Sequence, residues 1–181
     1  MYTDAFKKFY WGFFFTLLDF KIQGFDILPD IVGYILFYLG FKVLLHASLH
    51  FTHAKNYNIV MIILSVFTIY EKPVQNQGIN INLWGLILGI FSLIFSLLTV
   101  YHLFKGIKEM AEQRDYDFIA DDADKRWSQY MLLQLGVLLA FLMIYIPAVA
   151  ILYIIFLIIA SLVLAYVIMD FMKKCGQFFS E

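Results

Sequence analysis

AVAILYIIFLIIASLVLAYVIMDF, residues 148–171, is a run of 24 positions whose only formal charge, Asp170, lies at its far end. At 1.5 Å per residue such a helix is about 36 Å long, more than the roughly 30 Å hydrocarbon core of a bilayer. Apolar side chains cover its whole circumference, so no single face is set aside for a protein core. A second stretch, INLWGLILGIFSLIFSLLTVYHLF at residues 81–104, meets the same test. Together they predict an all-α fold, a polytopic transmembrane helical bundle.

Working outward, residues 128–146 form a shorter apolar segment that runs directly into Pro147. Proline after an apolar run ends one helix and starts the next, which predicts a tight helical hairpin. Upstream, residues 31–51 are apolar apart from Lys42, His46 and His50, and 58–70 is short enough to cross only by tilting or thinning the bilayer. Residues 5–20 hold Phe6, Phe9, Tyr10, Trp11, Phe13, Phe14, Phe15 and Phe20. That aromatic density suits the membrane interface, so this first segment crosses, lies flat or re-enters, giving five or six helices. One integral membrane domain over 1–181 is expected, with a charged cytoplasmic loop at 105–126 ahead of the last hairpin.

The composition agrees. Hydrophobic residues make up 62% of the 181 positions and charged residues 15%, and the mean hydropathy is +0.80. Too little polar surface is available to cover a water-soluble globule. This excludes a soluble enzyme and a disordered regulator. The net charge of −1 excludes a nucleic-acid binder, which needs a basic excess. With six crossings and a cytoplasmic N-terminus, Lys21 and Lys72 alone among the lysines and arginines fall outside. That steep bias places the C-terminus in the cytoplasm and the protein in the cell membrane. The single cysteine, Cys175, excludes an internal disulfide.

The segment GFDILPDIVGY, residues 24–34, carries a resemblance. With Gly40 and the Phe51, Ala54 and Lys55 ending, it resembles a segment of small multi-pass membrane proteins of Gram-positive bacteria. The resemblance implies a multi-pass architecture and no activity. Read as chemistry, Asp26 and Asp30 stand where a carboxylate caps orphan N–H groups at a helix start. The alternative is an acidic cation or headgroup site on the outer face.

Four histidines are the sharpest chemical signal. Lys42, His46, His50 and His53 fall within about 80° on a continuous helix, and His46 and His50 have the i, i+4 spacing of a shared metal. His102 ends the 81–104 segment at the same expected depth. These four histidines are the candidate transition-metal ligands; otherwise no cofactor is expected. Their plain reading is a set of helix ends at the inner interface, where imidazoles favour the negative pole of the dipole. Gly85, Gly89, Ser92, Ser96 and Thr99 recur at spacings of 4, 3, 4 and 3, and Gly33 and Gly40 begin a second small-residue stripe that continues to Ala47 and Ala54. Small residues let helices approach closely, either within one chain or in a homodimer.

The sequence lacks HExxH, GxSxG and a glycine-rich phosphate loop. The leading expectation is therefore a non-enzymatic scaffold, immunity or partner subunit, with the bilayer and a homodimer or larger membrane protein as partners. The alternative is a small-solute or metal-ion permease with the histidines near its inner vestibule. A lipid-active membrane enzyme comes third, since no nucleophile–base pair is evident.

Overall fold

The computed structural model describes residues 2–17, 21–22, 25–26, 30–68, 83–143 and 147–180. Among them are six helices: α1 (Tyr2–Leu17), α2 (Asp30–Leu44), α3 (Leu49–Thr68), α4 (Leu83–Glu112), α5 (Asp117–Met143) and α6 (Pro147–Phe178). Between α1 and α2 lies a two-residue ladder of β1 (Lys21–Ile22) and β2 (Phe25–Asp26), antiparallel, with Lys21 opposite Asp26. The all-α expectation is met. Each helix packs on its neighbours in sequence, and α6 returns to α1, so the six helices close into a ring. The ends meet there: Thr3 donates its hydroxyl to the Gly176 carbonyl at 3.1 Å.

Phenylalanines fill the ring. Phe6, Phe9 and Phe13 repeat at helical spacing on α1 and are fully buried, with Phe37 and Phe41 of α2, Phe104 of α4 and Phe171 of α6. The Phe13 ring lies 4.9 Å from Phe37 and 6.1 Å from Phe104, and Phe104 lies 6.0 Å from Phe171. The first of these is an edge contact within the α1–α2 pair, while the stacked Phe13–Phe104 and tilted Phe104–Phe171 contacts tie helices that are not adjacent in the ring. The α1–α2 seam closes on glycines. A methyl at Gly12 would meet Phe37 at 2.4 Å, one at Gly33 the Gly12 carbonyl oxygen at 2.9 Å, and one at Gly40 the Phe9 ring at 2.5 Å.

Two element boundaries differ from the sequence expectation. The helix expected across 31–51 breaks after Leu44, and a turn at 45–47 leads into α3. Ser48 causes the break: its Oγ accepts the His50 N–H at 3.0 Å and its carbonyl accepts the Phe51 N–H, which is N-capping geometry. The charged stretch 105–126 is mostly helix. Its first half, KGIKEMAEQR, continues α4 to Glu112 with Ile107, Met110 and Ala111 buried, as its apolar spacing leads one to expect. Helix α5, however, begins at Asp117, ahead of the expected 128, because Ile119, Ala120 and Ala123 form a buried face. The turn between them is a Schellman motif, with the Tyr116 N–H on the Ala111 carbonyl and the Asp115 N–H on that of Glu112. Asp115 takes the left-handed position at φ 58°.

The helices are unequal in reach. With 16 and 15 residues, α1 and α2 are about 24 and 22 Å long, whereas α6, with 32, is about 48 Å. Ser161 of α6 donates to the Leu17 carbonyl at the end of α1. Helix α6 begins 14 residues before that contact, so it continues about 21 Å past the end of α1. Among the described residues two helices are long and apolar enough to cross a membrane, at Ile87–Glu112 and Val149–Phe178, and only 22% and 17% of their most apolar stretches are buried.

Candidate functional site: a histidine cluster between α3 and α4

The turn at 45–47 decides which histidines meet. His46 lies in that turn and is exposed, while His50 and His53 lie on the first turn and a half of α3. The i, i+4 pair expected on one helix is therefore divided between a turn and a new helix. His50 and His102 of α4 are joined Nδ1 to Nδ1 at 2.8 Å. The His102 ring also stands 5.2 Å from His53, 5.6 Å from Tyr57 and 5.1 Å from Tyr101. Tyr101 in turn meets Trp127 of α5 at 5.2 Å. Three of the four histidines thus gather in an aromatic band.

The Nδ1–Nδ1 bond limits the chemistry. One ring must donate and the other accept, so the accepting ring's Nδ1 lone pair is taken up by the bond and the two Nδ1 atoms cannot jointly hold an ion in this arrangement. Among the described residues no group of three or more His, Cys, Asp or Glu side chains is arranged to hold a metal ion. The sequence gives no warning of Glu109, two turns along α4 from His102, which accepts a hydrogen bond from the buried Ser48 hydroxyl. Ser48 thereby fixes both the start of α3 and its attachment to α4.

Further along α4, Lys105 and Lys108 reach the two carboxylate oxygens of Asp124 on α5, at 2.9 and 2.5 Å. Burial alone would raise the Asp124 carboxyl, but the hydrogen bonds and charges of Lys108 and Lys105 outweigh it and hold the group below its ordinary value.

The other sequence candidates fall in separate places. Gly33 and Gly40 are in the α1–α2 seam, where Gly12, which the stripe pattern omits, faces Gly33. The stripe on α4 divides. Thr99 is buried with its hydroxyl on the Phe95 carbonyl, Ser96 bonds the Tyr130 hydroxyl at 2.8 Å, and Ser92 is half-buried. Gly85 and Gly89 face outward, and a methyl at Gly89 would meet nothing within 4 Å. Asp30 opens α2, and Asp26 is in β2, about a turn of chain away. Buried Asn58, also unflagged by sequence, crosses from α3 to the Tyr34 carbonyl on α2 at 2.7 Å.

In comparisons with known proteins, no family model, no curated protein and no solved structure matches the chain.

Proposed function

We propose that this chain is a multi-pass integral membrane protein whose role is non-enzymatic, a partner or scaffold subunit. One observation carries the membrane part: among the described residues, the halves of α4, α5 and α6 away from the charged end are almost wholly apolar and almost wholly unburied. Ile90, Phe91 and Ile94 of α4, Leu132 and Leu138 of α5, and Leu152, Phe156 and Val163 of α6 are all exposed. Water would not tolerate a continuous apolar surface of this size, whereas lipid would. Counting along α5 from Arg126 to Met143 gives about 26 Å, and α6 from Pro147 to Ile168 gives about 32 Å, both near the thickness of a hydrocarbon core.

On this reading the charged end, with the α4–α5 turn and both chain termini, faces the cytoplasm, as the lysine and arginine bias requires. The Thr3–Gly176 bond supports an even number of crossings, and so speaks against five. Helices α1 and α2 reach only part of the way and form a hairpin entered from the cytoplasmic side, which leaves four full crossings, α3 to α6, in place of the five or six expected. The resemblance of residues 24–34 to small multi-pass proteins supports the same class.

The partner reading draws on Gly85 and Gly89, small residues left open on a lipid-facing helix. A photo-crosslinker at position 91 should give one discrete adduct in membranes, either with a second copy or with a larger membrane protein. Gly89→Leu should abolish it. A chain that yields only lipid adducts would contradict the partner role. The permease alternative draws on the His50–His102 pair at the inner end. Against it, Phe13, Phe37, Phe41 and Phe104 close the axis of the ring. Metal uptake by proteoliposomes that His50→Ala and His102→Ala abolish would favour it.

A further inference from the structure

Ser48, His50 and Phe51 hold the start of α3 against α4. The Ser48 hydroxyl bonds Glu109, and the buried Phe51 ring lies so close to α4 that a methyl on Gly106 would meet it at 2.8 Å. Between them His50 and His102 are bonded Nδ1 to Nδ1 at 2.8 Å. On its other side this end of α3 joins α2 only through the turn at 45–47, so the contacts with α4 decide where it sits. Of those contacts, the histidine pair is the one whose charge changes between about pH 5 and 8.

The bond survives one added proton and not two. A first proton enters at the donating ring's Nε2 and leaves the Nδ1–H donor and the Nδ1 acceptor in place. A second can enter only at the accepting Nδ1, whose lone pair the bond uses. Two N–H groups then face each other, the bond is lost and two positive rings oppose across the seam. His53, exposed on the next turn of α3, brings a third imidazole to 5.2 Å from the His102 ring and adds to the repulsion. The remaining neighbours are Tyr57 of α3, Tyr101 of α4 and, behind Tyr101, Trp127 of α5. Lys105, over the Tyr101 ring, is committed to Asp124, and Glu109 to Ser48. Among the described residues, the charges that act on His102 are those of His50 and His53, so no carboxylate offsets the second proton. His50 and His102 are half-buried, which leaves the cluster open to solvent protons.

We propose that the His50–His102 pair is an acid-sensitive latch, closed at neutral pH and released by a second proton, which frees the start of α3 from α4. The open seam binds more protons than the closed one. The latch is therefore at full strength above the ordinary imidazole value of about 6.5 and weakens as pH falls below it. Thiol accessibility in detergent-purified protein tests it. In a Cys175→Ser background, a cysteine replaces buried Ala54, one turn along α3 from His50, and a second variant carries one at exposed Asn56 as reference. Both react with dithiodipyridine, which works at acid pH. The 54-to-56 rate ratio should rise about tenfold between about pH 7.5 and about pH 5, the weight of one pH unit in the second protonation. It should stay flat in His102→Gln, whose amide gives His50 a neutral partner, and in His50→Gln. In the unsubstituted chain, nitrogen-15 histidine NMR should show the Nδ1–Nδ1 bond at the higher pH and its loss at the lower. A flat ratio in the parent, an equal rise in either glutamine variant, or a bond that persists in acid would overturn the proposal.

Discussion

Asp115 holds a left-handed backbone at φ 58° to complete the Schellman turn between α4 and α5. Glycine adopts that conformation without a Cβ penalty, so Asp115→Gly should raise stability by about 1 kcal/mol, read as a higher denaturation midpoint in detergent. Glycines at the helix seams behave oppositely according to what faces them. At Gly33 a methyl would strike the Gly12 backbone at 2.9 Å, so Gly33→Ala should cost about 1–3 kcal/mol. At Gly89 a methyl meets open space, so Gly89→Ala should be neutral or stabilising by up to about 1 kcal/mol for the isolated chain. A thermal melt of the two variants side by side checks both signs. Asp124 gives a pH signature. Its folded carboxyl is held below the ordinary value of about 4, so its contribution is complete above that value. It is lost as pH falls through the lower folded value. Wild type should therefore lose more stability below about pH 4 than Asp124→Asn does. Parallel acid melts would count against the Lys105–Asp124–Lys108 bridge.

Helices were legible from sequence where apolar runs are long and bounded by proline, as at Pro147, and illegible where a boundary depends on one capping hydroxyl. The run LLHASLH shows no glycine or proline, so residues 31–51 read as continuous and the Ser48 cap, with its hold on Glu109, did not show. That single turn removed His46 from the histidine group and delivered His50 and His53 to His102. Ser48→Ala should therefore loosen the start of α3 and weaken its attachment to α4, at about 1–2 kcal/mol. Backbone hydrogen exchange over 49–53 would detect it, and unchanged exchange there would show that the cap is dispensable. Similarly, the aspartates and lysines of 117–126 hid the buried face of Ile119, Ala120 and Ala123, because high polarity masks a narrow apolar stripe. Gly12 was hidden by its aromatic neighbours.

For the molecule as a whole, hydropathy told how long each segment is and not where along the axis it lies. Lipid-facing and core-facing side chains are equally apolar, so the phenylalanine-filled ring and the exposed upper halves of α4–α6 are alike in composition. The unequal reach of α1 and α6, seen in the Ser161–Leu17 bond, follows from packing between residues 144 positions apart. The central claim is that α5 and α6 form a hairpin through the bilayer with the charged end and both termini on the cytoplasmic side. Cysteine accessibility tests it most directly. In a Cys175→Ser background, single cysteines at Tyr145, Ile158 and Ser180 are exposed to a membrane-impermeant maleimide in intact cells and after permeabilisation. The account predicts labelling at 145 from outside, at 180 only after permeabilisation, and at 158 in neither. Equal labelling of all three in intact cells or in a membrane-free extract would contradict it.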